Sequence, residues 1–201
     1  MSDNRTLRCL FCDWHMPDFL PELRLDAEEF IKGAAAVGAG AINFMCKGAF
    51  GNCLYPSEAE FANPALRGRD LFGEVFRAAR AKGLEFIAYY NMTLNDHLAG
   101  EHPEWRQVDR SGRPLKSFFY HVFCPNCDPF RQRLYNHLRE IVSRYAVDGM
   151  FFDLQYFNPS NRFDAEGLTR IIGEIEEKRK LRNDIEQEAM IKIRTRNLEA
   201  E

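Results

Sequence analysis

Residues 148–154 have the sequence DGMFFDL, a short apolar run that ends at Asp153. A run of this length, rich in large apolar residues, predicts a buried β-strand. Three similar runs precede it, at residues 6–13, 41–47 and 84–91, and a helical pattern follows each run. This alternation of strand and helix predicts an α/β fold built from about four parallel βα units.

The predicted helices carry N-terminal capping signals. The first has Asp26 as its N-cap, with a glutamate three residues later completing a capping box, and runs to about Val37. The second follows Asp70, and the third has Asp128 as its N-cap before a proline. These signals place the helices between the predicted strands.

Long loops follow the second and third strands, over residues 48–69 and 92–127. Loops of this length without regular structure are uncommon and are usually functional or disordered. Together they contain aromatic residues, histidine and asparagine, a composition that argues against disorder. Because they leave the carboxyl ends of parallel strands, where barrel enzymes bind substrates, we predict that they are functional.

The composition limits the kinds of partner. The 201 residues are 45% hydrophobic and 28% charged, with a formal net charge of -3, which is enough apolar material for one sizeable core. No basic block lies in the first 160 residues, so neither nucleic acid nor an anionic membrane surface is expected as a partner. The start of the chain has no apolar signal region, and no run approaches the ~18 apolar residues of a membrane span. We therefore predict a soluble, cytoplasmic protein.

Six cysteines include two pairs with metal-ligand spacing, Cys9 with Cys12 and Cys124 with Cys127. Four such thiolates could hold structural zinc. Cys9 and Cys12, however, lie in a predicted strand, where residues three apart point to opposite faces, and the chain is neither small nor cysteine-dense. Reduced thiols are therefore expected, and neither a metal nor a cofactor is predicted, with a zinc-stabilised structural protein as an alternative.

Asp153 is the main candidate catalytic residue. It ends an apolar strand, where an unpaired carboxylate is costly, and this favours a functional reason for its presence. The alternative is a structural acid that pairs with a neighbour such as Lys47 or caps a backbone turn. Asp148, at the other end of the same strand, is assigned to structure.

Candidate substrate-binding residues follow the first two strands. Asp13, Trp14 and His15 combine polar groups that can bind sugar hydroxyls with a ring that can cover the C–H face of a sugar. Asp13 and Trp14 could instead belong to the core. Lys47 could orient Asp153, hold a substrate oxygen, or lie at the rim with its charge in water.

The third strand and the loop after it add further candidates. Tyr89, Tyr90 and Asn91 end the strand, and only some of them face inward because side chains alternate along a strand. Tyr90 or Asn91 is predicted at the rim. Trp105 lies in the following loop, whose histidines have no metal-binding spacing.

From Ala165 onward, apolar residues recur at near-helical spacing among many Glu, Lys and Arg residues. This pattern predicts one long amphipathic helix. We therefore predict two parts, residues 1–160 with the βα units and residues 161–201 with this charged helix. Its apolar stripe either packs on the protein, or binds a partner or a second copy.

Several segments resemble glycoside hydrolase sequences. Residues 44–57, FMCKGAFGNCLYPS, resemble the second-strand motif of the α-L-fucosidases of glycoside hydrolase family 29, with Gly48 and Ala49 in place of that motif's two histidines. Residues 69–90 resemble the following helix and strand. Four further segments resemble a related group, called hypothetical glycosyl hydrolase 6, more closely still. They are HPEW from residue 102, residues 109–114, CPN from residue 124, and YAVDGMFFD from residue 145.

The resemblance implies a partial TIM-type (β/α) barrel, its N-terminal half, followed by the long helix. It also implies a glycoside hydrolase-like protein with Asp153 at the position of the nucleophile. His15 and the Lys47 region would then surround the non-reducing sugar. The acid partner of Asp153 is either absent or supplied by Asp13 or by one of the loop glutamates, Glu58 and Glu101.

The resemblance also bears on partners. A glycoside or oligosaccharide is the expected ligand. Four strands leave two unpaired sheet edges, so the chain is expected either to form a homodimer through the barrel edge or the C-terminal helix, or to be a truncated product that is inactive by itself. The alternative function is a non-catalytic carbohydrate-binding or interaction module, which would keep the aromatic loops without needing Asp153.

Overall fold

The computed structural model describes residues 8–154, together with Glu177 and Lys180. The chain divides into two compact units, Met1–Phe163 and Asp164–Glu201, and the first contains the sheet. The C-terminal helix predicted from the sequence, and any dimer contact through it, lies outside the described residues.

Strands and helices alternate along the described chain. In order, the elements are β1 (Cys9–Phe11), α1 (Ala27–Ala36), β2 (Ala41–Lys47), α2 (Leu71–Ala81), β3 (Glu85–Asn91), α3 (Asp96–Glu101), β4 (Lys116–Ser117), β5 (Tyr120–His121), α4 (Asp128–Arg144) and β6 (Gly149–Asp153). β1, β2, β3 and β6 form one sheet in that order, and every neighbouring pair is parallel. The predicted α/β fold with four parallel strands is therefore confirmed.

The sheet curls as a barrel wall does. Phe11 on β1 and Phe151 on β6 belong to the two outermost strands, which a flat sheet would hold about 14 Å apart at the usual strand spacing. Their ring centroids are nevertheless only 5.4 Å apart, and both rings also contact Tyr89 on β3. These aromatic residues mark the concave inner face, which corresponds to the inside of a barrel and supports the expected partial barrel.

The opposite, outer face packs on the helices. Phe44 of β2 contacts Phe72 of α2 and Phe30 of α1, and Phe86 of β3 contacts Phe72. Phe44, Phe72 and Phe86 have no exposed surface, so this aromatic layer is the main hydrophobic core. Among the described residues, the helices include none with both the length and the apolar character needed to cross a bilayer.

Local capping signals set the helix starts in two of the three predicted cases. The side chain of Asp26 accepts the Glu29 N–H (3.0 Å), and that of Asp70 accepts the Gly73 N–H (2.9 Å), as expected of N-caps. The prediction for α4 is wrong by one residue, because Cys127 takes the N-cap position without a side-chain hydrogen bond and Asp128 lies in the first turn.

The two long loops contain short elements of their own. Residues 48–69 include a 3-10 turn at Pro64–Leu66, and residues 92–127 include α3, another 3-10 turn at Pro103–Trp105, and the antiparallel ribbon of β4 and β5. Backbone hydrogen bonds join the two loops, for example from Asp96 to Phe50 (3.0 Å). Both loops therefore form a folded layer at the carboxyl end of the sheet.

Asp148 has the structural role predicted for it. Its Oδ2 accepts hydrogen bonds from the Phe86 N–H (2.8 Å) and pairs with the Arg80 guanidinium (2.9 Å). The acid thus ties the start of β6 to α2 and β3, at the end of the sheet opposite Asp153.

All six cysteines are free thiols. Cys9 is exposed and Cys12 is buried, and burial raises the pKa of Cys12 to about 11. Residues 8–154 contain no group of three or more His, Cys, Asp or Glu side chains arranged to hold a metal ion.

Candidate functional site

Asp153 is the last residue of β6, at the carboxyl end of the sheet, and its side chain is half-buried. Its Oδ1 accepts the backbone N–H of Leu154 (2.7 Å), and its Oδ2 accepts the hydroxyl of Tyr89 (2.6 Å). Leu154 has a φ of 55°, a conformation that costs a residue with a side chain about 1–3 kcal/mol. The Thr93 hydroxyl donates to the Leu154 carbonyl (2.5 Å) and helps to hold it there. The carboxylate is therefore fixed by a strained turn immediately after the strand.

Tyr89 connects Asp153 to the end of the first strand. Its ring lies 5.7 Å from the ring of His15, edge to face, and 5.8 Å from the stacked ring of Phe151. Tyr89 was predicted at the strand end, without a role of its own. It is the residue that brings the candidate acid and the candidate histidine together.

His15 is oriented from both sides of its ring. Its Nδ1 accepts the backbone N–H of Ala49 (3.0 Å), so the proton of the neutral ring lies on Nε2, which is 3.0 Å from Oδ1 of Asp13. The side chain of Asp13 is 57% exposed, whereas that of His15 is 23% exposed. His15 and Asp13 therefore form a polar pair that opens to solvent at the mouth of the inner face.

Asn91 holds the loop that positions His15. Its amide nitrogen donates to the carbonyls of Gly48 (2.8 Å) and Leu94 (2.6 Å), and its Oδ1 accepts the Leu94 N–H (3.1 Å). Asn91 ends β3 at the carboxyl edge of the sheet and has no exposed surface. Its side chain joins the loops that follow β2 and β3, next to Asp153 in the sheet.

Lys47 is turned away from Asp153 by an irregularity in β2. Met45 is paired with Tyr89 and Lys47 with Tyr90, so one extra residue interrupts the register, and such a bulge re-aims the side chain that follows it. Lys47 is fully buried, donates to the Asn91 carbonyl (3.2 Å), and lies 5.2 Å from the Tyr90 ring. Burial lowers its pKa, an effect that the nearby carboxylate of Glu60 opposes. Lys47 therefore lies neither at the rim with its charge in water nor in an ion pair with Asp153, which were two of the roles considered for it.

Tyr90 likewise belongs to the outer layer, and its predicted rim position is wrong. It is fully buried, and its hydroxyl forms a 3.0 Å hydrogen bond with Nδ1 of His137 on α4. The physical reason is alternation: since Tyr89 faces inward, Tyr90 must face the helices.

Each of the two tryptophans packs against other aromatic rings. Trp14 packs between Phe30 of α1 and Phe44 of β2, with ring centroids 5.5 Å from each. This is the core position that the sequence left open as an alternative. Trp105 stacks on His102 at 3.6 Å in the loop after α3.

The loop glutamates named as acid partners lie on the side of α4. The backbone N–H of Glu58 donates to the carboxylate of Glu140 on α4 (3.3 Å), and the negative charge of Glu101 is one of several that raise the pKa of Arg133, another α4 residue. Asp13, the third candidate acid, is linked to Asp153 through His15 and Tyr89. The arrangement thus offers a fixed carboxylate, a second accessible carboxylate, and an imidazole between them.

Residues 26–154 match the sequence profile of the family described as Hypothetical glycosyl hydrolase 6. The chain belongs to this family. The matched segment ends one residue beyond Asp153, and it includes Lys47, Tyr89 and both long loops. It confirms the glycoside hydrolase-like character that the sequence resemblance implied.

Solved structures are similar in fold. An α-L-fucosidase isoenzyme 2 from Paenibacillus thiaminolyticus has a TM-score of 0.70 and 23% identity, covering 85% of this chain and 26% of that one. A bacterial fucosidase with an iminocyclitol inhibitor has a TM-score of 0.59 and 21% identity, covering 77% and 32%. A maltogenic α-amylase, AmyB from Thermotoga neapolitana, has a TM-score of 0.55 and 16% identity, covering 75% and 38%. The Hypothetical glycosyl hydrolase 6 chain therefore spans less than two fifths of each.

A short stretch of the chain is similar to a different kind of protein. Over 46 residues it is 46% identical to the flotillin family inner membrane protein YqiK of Escherichia coli strain K12, covering 23% of this chain and 8% of that one. This match covers too little of the chain to place it in the flotillin family as well.

Proposed function

We propose that the carboxyl end of this sheet is the sugar-binding part of a glycoside hydrolase centre, with Asp153 as the nucleophile. One observation carries the proposal: a half-buried strand-end carboxylate is held by Tyr89, whose ring contacts the mouth residue His15. A carboxylate fixed in this way can be aimed at the anomeric carbon of a sugar bound against the inner face.

In the proposed reaction, an oxygen of Asp153 bonds to the anomeric carbon while the bond from that carbon to the leaving oxygen breaks. An acid protonates the leaving oxygen, and water then releases the sugar and restores the carboxylate. A retaining enzyme needs its two carboxyl groups about 5–5.5 Å apart. Asp13 is the acid of this chain that supports the role best, because the Nε2 proton of His15 holds it and Tyr89 links His15 to Asp153.

The substrate is proposed to be a glycoside or oligosaccharide. Asp13 and His15 supply hydrogen-bonding groups at the mouth, while Tyr89, Phe11 and Phe151 supply an apolar wall for a sugar's C–H face. Trp14, Lys47, Tyr90, Asn91 and Trp105 were also predicted to bind substrate. Of these, Lys47 and Asn91 support a positioning role better, since both side chains are buried and donate to backbone carbonyls.

We propose that a second copy of the chain completes the inner face. Phe11 and Phe151 remain 45% and 41% exposed, and the outer edges of β1 and β6 have no strand partner within residues 8–154. A twofold axis along the barrel would set β6 of one copy beside β1 of the other. Sedimentation equilibrium tests this: a dimer that the Phe151→Asp variant disrupts is expected, whereas a well-folded monomer contradicts it.

The proposed activity is tested with Asp153→Asn on a panel of 4-nitrophenyl glycosides. Turnover is expected to fall to the uncatalysed background. Asp148→Asn is the matched control, because it removes the acid at the other end of the same strand, and it should lower stability while turnover per folded molecule is kept. Equal turnover by Asp153→Asn and the parent chain would exclude the nucleophile role.

A non-catalytic carbohydrate-binding module is the second candidate function. It is favoured by the inner-face rings of Phe11, Tyr89 and Phe151, which can cover a sugar without any role for Asp153. Sugar binding that persists unchanged in Asp153→Asn, together with no turnover by the parent chain, would support it.

A cytoplasmic location is proposed from the six free thiols, since oxidising compartments favour disulfides. Cell fractionation tests this location.

A further inference from the structure

The ribbon of β4 and β5 ends in a turn of two aromatic residues. Phe118 is 88% exposed and Phe119 is 61% exposed. Two-residue hairpin turns favour Asn-Gly because the backbone needs positive φ there. Phe118 nevertheless has a φ of 53°, which costs about 1–3 kcal/mol. The exposed rings of Phe118 and Phe119 and the positive φ of Phe118 both cost free energy in the unbound protein. This combination suggests that the turn binds a ligand.

Phe119 belongs to a cluster of three rings, which we call the aromatic platform: Phe50, Phe119 and Tyr120. Phe119 and Tyr120 have ring centroids 4.1 Å apart, and Phe50 lies 5.0 Å from Tyr120 and 6.1 Å from Phe119. Phe50 comes from the loop after β2 and the other two from the loop after β3. The platform therefore spans both long loops above the carboxyl end of the sheet.

The platform adjoins the proposed sugar site. Tyr120 packs on a small apolar cluster that includes Ala49, and Leu154 packs on the same cluster. The N–H of Ala49 donates to His15, and Leu154 directly follows Asp153. Burial raises the pKa of Tyr120, and the carboxylates of Asp96 and Asp13 raise it further, which is consistent with Tyr120 lying near the mouth acid.

We propose that the aromatic platform and Phe118 bind the sugar unit on the leaving-group side of an oligosaccharide, next to the unit held at Asp153. Aromatic rings cover the C–H face of a pyranose, and polar groups close to the platform can bind its hydroxyls. Asp96 and His121 form such a pair, 2.8 Å apart, directly beside Tyr120. This assignment rests on the proposed function, and it makes the platform the part that selects extended substrates over single sugars.

The test compares sugars that share their non-reducing unit. Methyl α-L-fucoside is paired with 2′-fucosyllactose, methyl β-D-galactoside with lactose, and methyl α-D-glucoside with maltose, and calorimetry measures the affinity of each. In the pair that binds, the larger sugar should bind about threefold to tenfold more tightly, as expected for one ring contact. Phe119→Ala should remove this gain and leave the affinity for the methyl glycoside unchanged.

Two further variants keep the result interpretable. Phe119→Trp keeps a ring at the tip and should retain the gain. Val37→Ala removes an exposed apolar side chain at the end of α1 and should change neither affinity. Thermal melting confirms that all three variants fold.

The outcomes separate this inference from the proposed function. If a methyl glycoside binds and its larger partner binds no better, or if Phe119→Ala keeps the gain, the platform assignment is wrong while the sugar site stands. If none of the six sugars binds to the parent chain, both assignments are wrong. Binding of a protein partner to Phe118 and Phe119, with equal affinities within every sugar pair, would also overturn the inference.

Discussion

The hydroxyl of Tyr89 donates a 2.6 Å hydrogen bond to Oδ2 of Asp153, across the pair of strands β3 and β6. The two residues are not directly opposed in the sheet, since Asn91 is the register partner of Asp153. Tyr89 lies two residues earlier on the same face and reaches along the strand to the carboxylate. It therefore fixes the acid from inside the concave face, where a sugar would bind.

Tyr89→Phe is expected to reduce glycoside turnover while leaving the fold intact. A hydrogen bond to a charged group contributes about 1.5–3 kcal/mol, which corresponds to a roughly tenfold to hundredfold loss of kcat. Steady-state kinetics on the best 4-nitrophenyl glycoside checks this. Tyr90→Phe is the matched control on the outer face: it should lower the melting temperature and leave kcat unchanged, and the reverse pattern would contradict the assignment of the two faces.

Asn91→Ala is expected to destabilise the protein by about 2–3 kcal/mol, because buried carbonyls of Gly48 and Leu94 lose their donor. Urea denaturation measures the change. The loop that orients His15 is also loosened, so sugar affinity should fall together with stability. A variant that keeps full stability would show that these hydrogen bonds are replaced by solvent.

Two glycine substitutions are expected to have opposite signs although an added Cβ meets nothing within 4 Å at either position. Gly33 lies within α1, where alanine is favoured by about 0.5–1 kcal/mol, so Gly33→Ala should raise stability. Gly68 has a φ of 83°, a conformation that alanine adopts at a cost of about 1–2 kcal/mol. Gly68→Ala should therefore lower stability. Equal shifts in thermal midpoint would contradict this explanation.

The buried imidazole of His137 is expected to make stability depend on pH. Burial, followed by the charges of Lys47 and Arg133, holds its pKa well below the usual range, so the ring stays neutral in the fold. Below the unfolded-state pKa of about 6.5 the unfolded chain takes up a proton that the folded chain refuses. The contribution of neutral His137 to the free energy of unfolding is therefore fully present above this pH. It is lost as the pH falls below it, by up to about 1.4 kcal/mol per pH unit.

His137→Asn tests this contribution, because asparagine keeps a polar atom near Tyr90 and does not titrate. The variant is expected to be less stable at neutral pH and to show a flatter decline between about pH 5 and 6.5. Urea midpoints across this range give the comparison. Parallel declines in both proteins would mean that other groups cause the pH dependence.

Local signals in the sequence were enough to predict most of the fold. The bounds of the second strand were predicted correctly, because residues 41–47 form a mostly apolar run between two glycine-containing turns. Asp26 and Asp70 were predicted as N-caps, because a cap is decided by the side chain and the three residues that follow it. The strand-end position of Asp153 followed in the same way from the apolar run before it.

The site residues around Asp153 depended on information that no single segment carries. The sequence does not show which of Tyr89 and Tyr90 faces inward, because a strand buried on both faces has an almost uninterrupted apolar run. The extra residue in β2 turns Lys47 from the inner face to the helix layer. The apolar run of residues 41–47 contains no signal for this irregularity.

The sequence by itself thus determined the order of the four parallel strands and of the helices between them, and that an acid ends the last described strand, because these features depend on neighbours within a few residues. Only the tertiary structure decided that Tyr89 holds Asp153, that His15 joins them, and that Lys47 is buried behind them. The reason is that strand register, sheet curvature and the inner face are set by packing between segments far apart in the chain.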